Sequence, residues 1–345
     1  MKKILLHFLL FLPFLIYAQK EKSVRINPND TATLYLSQFA EEVTPISLND
    51  YNGTPQFVYL TDEYLYIGGI STISQLDLSG KVIKTVNCGY ITGITGDPAK
   101  KEIYISIINN QEETGRIICY DYALREKKSY KVNYKPNTLF FHKNNLWVYS
   151  YYIDNSIVTT YYKISTMDLV TAKETFLPFE IKDDSKFHGV TLVQNGTFSE
   201  YNDQVLFSNG IEPVIYGIHE GKTFPVVRYT IDQVENKSSE KHPLSKQGFI
   251  GKYLLIEYWL VNTSNSRSSD YFYYLEDMET QKKYNNRDDS FLYDDMYHTG
   301  LCYMKLMPNK KGYFYIYREQ SDVSKASGRL KLPDAPALFL VKTKQ

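Results

Sequence analysis

Four carboxylates and one imidazole lie close together near the end of the chain, within positions 287–298. They belong to Asp288, Asp289, Asp294, Asp295 and His298. Carboxylates bind hard divalent cations, and a carboxylate beside an imidazole can move protons during catalysis. The cluster therefore predicts a divalent-cation site at Asp294 and Asp295, or an acid–base pair of Asp295 and His298. The alternative is a solvated acidic loop, and this interpretation is preferred.

Two other residues join Asp295 and His298 as catalytic candidates. His188 and Arg228 are polar groups that would serve an enzyme only if they converged on the same centre, within about 10 Å of the pair. The sequence contains no G-x-S-x-G, H-E-x-x-H, paired C-x-x-C or phosphate-binding P-loop motif. His142, before an Asn-Asn pair, and His219, in a Glu-Gly turn, are expected at the surface.

Six short segments rich in aromatic and β-branched residues recur along the chain, each preceded by a turn and followed by another strand. They begin 39 to 60 residues apart and are Tyr64-Leu-Tyr-Ile, Ile103-Tyr-Ile-Ser, Leu146-Trp-Val-Tyr, Val205-Leu-Phe-Ser, Tyr253-Leu-Leu-Ile and Tyr313-Phe-Tyr-Ile. Strand-rich repeats of roughly 40–50 residues are typical of β-propellers, with one blade per repeat. The sequence therefore predicts an all-β fold, a six-bladed β-propeller of four-stranded antiparallel blades. Seven blades would need a further repeat within 178–252, and six is preferred.

The sixth repeat offers three strands, so its fourth strand must come from elsewhere in the chain. Two N-terminal runs are candidates, at 43–48 and 33–39. Pairing an N-terminal strand with the last blade would close the ring and remove an exposed sheet edge. With the repeats assigned to blades in this way, Asp294 and Asp295 lie between the fifth and sixth blades. In a strand they would point to opposite faces, so only one could enter the central channel.

Several segments resemble the exported bacterial six-bladed propellers, which are related in fold to TolB-like and NHL-type propellers. They are Ile46-Ser-Leu48, Gln75-Leu-Asp-Leu-Ser-Gly-Lys81, Gly251-Lys-Tyr-Leu-Leu-Ile256 and the Asp294-Asp295 pair. The resemblance covers nearly all of the chain after the leader. It implies the propeller fold and brings no catalytic residues with it. Many of those proteins are lipoproteins, and this chain departs from that pattern.

The N-terminus reads as a secretory signal peptide. Lys2 and Lys3 precede an apolar run, and Tyr17-Ala18 precedes the polar Gln19-Lys20, so cleavage is expected after Ala18. No cysteine lies near this point, so a lipid anchor is not expected. The predicted organisation is a signal peptide at 1–18, an N-terminal linker at 19–32 and the propeller at 33–345. The mature chain is expected to be periplasmic or secreted, with no transmembrane segment.

Composition and charge limit the classes of partner. The chain of 345 residues has 39 basic and 39 acidic residues, and loss of Lys2 and Lys3 with the leader leaves 37 against 39. Without a concentrated basic tract there is no electrostatic footprint for nucleic acid. The 32 tyrosines fit strands, where the ring packs and the hydroxyl reaches water. Cys88, Cys119 and Cys302 are widely spaced and are expected to pack rather than to form a disulfide.

The functional hypothesis from sequence is a non-enzymatic binding or scaffold module for a protein or a glycan outside the cytoplasm. Propellers present rigid loops around a central channel, and these loops commonly carry function. No cofactor is predicted, and a divalent cation at Asp294 and Asp295 is the one ligand that the acidic cluster suggests. The alternative is a channel-centred enzyme, such as a polysaccharide lyase or a metal-assisted hydrolase.

Overall fold

A computed structural model of the chain describes residues 21–109, 111–112, 114–157, 159–184, 186–187, 190–191, 196–234, 237–238, 246–262, 269–287, 292–324, 326 and 335–345. The predicted leader at 1–18 lies outside them. The described residues form six sheets of four antiparallel strands in a ring, named blades 1 to 6. The six recurring segments all lie in the second strands of these blades, so the predicted six-bladed propeller is confirmed.

The strands of each blade run from the centre of the ring to its rim. They are Phe57–Leu60, Tyr64–Gly68, Thr72–Asp77 and Val82–Asn87 in blade 1, and Tyr90–Asp97, Glu102–Ile108, Gly115–Asp121 and Glu126–Val132 in blade 2. Blade 3 contains Lys135–His142, Asn145–Asp154, Thr159–Met167 and Glu174–Asp183, and blade 4 contains Thr197–Tyr201, Gln204–Ser208, Val214–His219 and Lys222–Ile231. Blade 5 contains Gln247–Ile250, Tyr253–Asn262, Ser269–Asp277 and Lys283–Arg287, and blade 6 contains Lys305–Leu306, Tyr313–Arg318, Ala337–Thr343 and Ala40–Ser47.

A few short elements lie outside this pattern. They are the strands Lys22–Ile26, Lys186–Phe187, Val190–Thr191, Lys237–Ser238, Leu292–Asp294 and Gly300–Cys302, and the helices Leu36–Phe39 and Gln320–Val323. In the part of the chain that the structure describes, no helix has the length and apolar character needed to cross a membrane.

The blades pack face to face, and this packing explains the two kinds of strand sequence. The second strand of blade 2, Glu102–Ile108, is buried at four consecutive positions because a blade covers each of its faces. The outer strand Val82–Asn87 instead alternates half-buried and exposed positions. Continuous apolar runs thus mark the middle strands, and alternation marks the rim.

An N-terminal strand completes the last blade, as the sequence predicts. Ala40–Ser47 pairs antiparallel with Ala337–Thr343, with Val43 opposite Val341 and Ile46 opposite Leu338. The run at 43–48 therefore supplies most of the closing strand. The other candidate run, 33–39, forms the short helix Leu36–Phe39 just before it. Closure leaves the third strand of blade 6 paired on both sides.

The segment expected to be a linker, 19–32, contains a fifth strand for blade 4. Lys22–Ile26 pairs in parallel with the outer strand Lys222–Ile231. Val24 and Ile26 are buried, while Ser23 and Arg25 are exposed. This alternation suits a strand with one face on the blade and the other in water. The segment covers the edge of blade 4.

The ring has two distinct sides. Turns between first and second strands, and between third and fourth strands, lie on the side named here the turn face. Turns between second and third strands, and the connections between blades, lie on the opposite side, the connection face. Antiparallel pairing dictates this division, because the chain reverses direction at every turn.

Residues 307–312, which join the first two strands of blade 6, cross the central channel at the turn face. Thr95 Oγ1 of blade 2 donates a hydrogen bond of 2.6 Å to Asn309 Oδ1. Lys311 Nζ lies 3.6 Å from Glu200 Oε1 of blade 4. Blade 6 has blades 5 and 1 as its neighbours, so contacts with blades 2 and 4 require this turn to reach across the axis. It therefore covers this end of the channel.

Candidate functional site

Asp294 stabilises a hairpin loop at the rim of the propeller. Its Oδ1 accepts hydrogen bonds from the amides of Met296 (3.1 Å) and Tyr297 (2.9 Å). Its Oδ2 accepts bonds from the amide of Thr299 (3.2 Å) and from Thr299 Oγ1 (2.5 Å). The carboxylate is fully buried, so these four bonds satisfy its acceptor capacity. Asp294 thus holds the loop and is poorly placed to bind a cation.

Asp295 and His298 lie in the same loop, outside the channel. Asp295 accepts hydrogen bonds from the Ser37 amide (2.9 Å) and the Ser37 hydroxyl (2.5 Å), at the start of the helix that precedes the closing strand. His298 is half-buried and has a left-handed backbone with φ of 58°. Among the described residues, no group of three or more His, Cys, Asp and Glu side chains is arranged to hold a metal ion.

Arg228 lies elsewhere on the rim, in the outer strand of blade 4. Its Nε donates a hydrogen bond of 2.6 Å to Glu21 Oε1, and the residue is exposed. His188, Asp288 and Asp289 lie outside the described residues. The structure thus brings Asp295 and His298 together in one loop and places Arg228 on a different blade.

A groove of about 510 Å³ lies on the turn face, between blades 3 and 4. Three two-residue hairpin turns form its edges: Lys143-Asn144, Asn202-Asp203 and Glu220-Gly221. Both residues of each turn have positive φ, between 46° and 74°. Such turns match the twist of the flanking strands and favour Asn, Asp and Gly, which the sequence supplies at every position except Lys143 and Glu220. The turns present the side chains beside them to the groove.

Two aromatic rings and several uncharged polar groups line this groove. Trp147, from the second strand of blade 3, and Phe224, from the outer strand of blade 4, are both half-buried. The Trp147 indole N–H donates no hydrogen bond to any described residue. The amides of Asn145, Asn202 and Gln204 add donors and acceptors. The groove therefore combines partly exposed aromatic rings with amide groups that can both donate and accept hydrogen bonds.

Each acidic group of the groove has a lysine or a histidine beside it, with Glu220 Oε1 3.4 Å from His219 Nε2. Lys143 of blade 3 forms an ion pair with Asp203 of blade 4, and this hydrogen bond lowers the pKa of Asp203. His142 Nδ1 lies 3.3 Å from Glu200 Oε2, and the other Glu200 oxygen faces Lys311. A ligand therefore needs no net charge to match these groups.

A second groove, of about 330 Å³, occupies the equivalent position between blades 1 and 2. Charged residues dominate it, with Lys101 Nζ 2.5 Å from Glu63 Oε1 and Arg125 Nε 2.7 Å from Asp121 Oδ2. The groove between blades 3 and 4 differs because Trp147 and amide side chains line it. The lining of this groove is therefore not repeated in the second groove.

The sequence analysis places His142 and His219 at surface turns and does not connect them. Each begins a hairpin turn at the end of its strand, His142 in blade 3 and His219 in blade 4. The strand register puts both turns on the turn face of adjacent blades. His142 ends a first strand and His219 ends a third strand, and both kinds of strand end at the turn face, which is the signal that connects the two residues.

Comparison with known proteins shows the fold. No family model matches the chain, and no curated protein matches its sequence. The crystal structure of a protein of Bacteroides fragilis NCTC 9343, described as exported, aligns with a TM-score of 0.65 and 12% identity over 94% of this chain and 100% of that one. A DUF4221 family member from Bacteroides vulgatus ATCC 8482 aligns with a TM-score of 0.50 and 8% identity over 88% and 97% of the two chains. This chain is thus similar in fold to bacterial propellers, one of them described as exported.

Proposed function

We propose that the protein is exported through residues 1–18 and binds a neutral glycan in the groove between blades 3 and 4. The observation that carries the proposal is the pairing of ring surfaces, Trp147 and Phe224, with amide groups in one groove of about 510 Å³. This volume suits a short oligosaccharide, since ligand sites commonly measure about 300–1,000 Å³.

The chemistry of a sugar matches that lining. A pyranose ring has faces of C–H groups with partial positive charge, which are attracted to the negative face of an aromatic ring. Its hydroxyls both donate and accept hydrogen bonds, as do the amides of Asn145, Asn202 and Gln204. The indole N–H of Trp147, which donates to no residue that the structure describes, provides a further donor. Because each acidic group of the groove already has a lysine or a histidine beside it, an uncharged ligand is preferred.

A binding role is also preferred to catalysis. Asp294 uses its oxygens in its own loop and Asp295 accepts hydrogen bonds from Ser37, whereas Arg228 lies on blade 4 and donates to Glu21. These contacts support a binding role over a catalytic centre shared by Asp295 and Arg228. A protein ligand remains the other outcome of the test below.

Tryptophan fluorescence tests the proposal directly, because the chain has two tryptophans and one of them lines the groove. The Trp259→Phe variant would report on Trp147 alone. It would be titrated with oligosaccharides of β-1,4-glucose, α-1,4-glucose, xylose, mannose and N-acetylglucosamine. At least one sugar is expected to give a saturable change in fluorescence. In calorimetry, the same sugar should bind the wild type and give no heat of binding with Trp147→Ala.

Tyr90→Ala is a suitable control, because Tyr90 is an exposed aromatic residue of blade 2 outside the groove. It should bind the sugar as the wild type does. Equal loss in both variants would indicate non-specific stacking and overturn the assignment of the groove. A flat response to the whole panel would reject the glycan and leave a protein ligand, to be sought by pull-down.

A further inference from the structure

The first strands of blades 3 and 4 contact each other at the inner end of the groove, next to the channel. Within these strands Phe140 and Phe198 are buried, and their rings stack with centres 5.8 Å apart. Two residues further along each strand, His142 Nδ1 lies 3.3 Å from Glu200 Oε2. Side chains at i and i+2 share one face of a strand, so both contacts join the same two facing surfaces.

The hairpin turns that follow these strands carry a third contact. Lys143 Nζ donates hydrogen bonds to the carboxylate of Asp203 and, at 3.3 Å, to its backbone carbonyl. This pair is exposed, and exposed ion pairs contribute little free energy. The His142 side chain is only 12% exposed, and Lys311 of the turn that crosses the channel lies 3.6 Å from the other Glu200 oxygen. The three contacts run in order from the core to the turn face and close the inner end of the groove.

The outer end of the groove lies at the Glu220-Gly221 turn, which joins the two outer strands of blade 4. A Cβ atom added to Gly221 would meet no atom within 4 Å, and the Glu220 side chain is 82% exposed. The ring of Phe179 in blade 3 contacts that of Tyr216 in blade 4, with centres 5.3 Å apart, but this contact lies deeper between the blades. The groove is therefore closed next to the channel and open at the rim.

A glycine beneath the groove brings an aromatic ring and an amide together. A Cβ atom added to Gly217, in the third strand of blade 4, would lie 2.7 Å from Phe224 Cζ and 2.8 Å from Gln204 Nε2. Both atoms thus lie close to one point, and any residue other than glycine would displace at least one of them. The ring and the amide form one subsite, in which a sugar can stack on Phe224 and hydrogen-bond to Gln204.

We propose that the groove binds the end of a neutral glycan chain rather than its interior, an inference that rests on the glycan function proposed above. A chain that crosses a groove must leave it at both ends, and the contact between His142 and Glu200 blocks the end next to the channel. The terminal sugar therefore lies against the closed end, and the chain continues past Phe224 towards Gly221 at the rim. A terminal sugar has a free hydroxyl where an interior sugar has its next glycosidic bond, and the ammonium of Lys143 lies at this end as a hydrogen-bond donor.

Isothermal titration calorimetry with chains of different length would test the inference. The probes are the hexasaccharide and a soluble linear polysaccharide, of known mean chain length, built from the glucose, xylose, mannose or N-acetylglucosamine units that the fluorescence panel selects. One protein molecule should bind per chain of either probe, because each linear chain has one end of the required kind. Several protein molecules on each polysaccharide chain would overturn the inference and leave the glycan function standing. Failure of the whole panel to bind would instead reject the glycan function, and this inference with it.

Variants assign the bound chain end to this groove. Gly217→Ala should weaken the binding of the hexasaccharide at least tenfold, because the new methyl group displaces Phe224 or Gln204. Gln204→Ala provides a second test if Gly217→Ala does not fold by circular dichroism. Gln111→Ala, which shortens an exposed side chain in a turn of blade 2, should bind the hexasaccharide as the wild type does. Wild-type affinity in the folded groove variants would overturn the inference.

Discussion

The closing strand should contribute a large share of the stability of the ring, and Ile46→Ala tests this. Ile46 is 3% exposed and lies opposite Leu338 in the third strand of blade 6. It belongs to a hydrophobic cluster that joins blade 6 to blade 1 and includes Leu65 and Met307. Truncation would therefore leave a cavity at the junction where the two ends of the chain meet.

The expected loss is about 2–5 kcal/mol, the usual cost of an Ile→Ala change in a core. Native domains are stable by about 5–15 kcal/mol, so this loss is a substantial fraction of the total. With an m-value of about 3 kcal/mol/M, the urea midpoint should fall by roughly 1 M.

Urea unfolding followed by circular dichroism would measure the change. Thr44→Ala is the matched control, because Thr44 is exposed on the same strand and opposite Leu340. It should alter the free energy of unfolding by less than about 0.5 kcal/mol. Equal midpoints for Ile46→Ala and Thr44→Ala would refute the reasoning, since they would show that the strand adds little to the packing between blades 6 and 1.

Two further predictions concern the rim loop and the thiols. Asp294→Ala should destabilise the fold by about 3 kcal/mol in urea unfolding, because it strands buried donors, while Asp295→Ala should cost less than half as much; equal costs would contradict a structural role specific to Asp294. Burial raises the pKa of Cys88 and Cys119 to about 11 and that of Cys302 to about 12, so the native protein at pH 8 should react slowly with a thiol reagent. All three thiols should react in urea without reductant, and fewer than three would reveal a disulfide.

Local patterns were sufficient to predict the repeats and the closing strand. Middle strands are buried on both faces and therefore read as unbroken apolar runs, such as Tyr64-Leu-Tyr-Ile. Two-residue turns such as Asn202-Asp203 carry residues that tolerate positive φ. The strand Lys22–Ile26 was missed because it is short, and its role depends on a partner some 200 residues away in sequence.

The acidic cluster shows why residue types alone do not reveal the partners of a carboxylate. Asp294 and Asp295 are adjacent in sequence, yet one is buried in its own loop and the other bonds a helix near the N-terminus. Sequence proximity suggested a shared centre, whereas the fold assigns each carboxylate a separate partner. A carboxylate whose oxygens are already hydrogen-bonded has little capacity left for a ligand.

The sequence by itself determined the class of fold, because strand periodicity and turn chemistry are local properties of the chain. The tertiary structure alone decided which side chains share a surface. It placed Trp147 of blade 3 and Phe224 of blade 4 in the lining of one groove, and it brought the 307–312 turn across the channel. Both outcomes depend on contacts between blades. These contacts join residues that are far apart in sequence and meet only when the ring has closed.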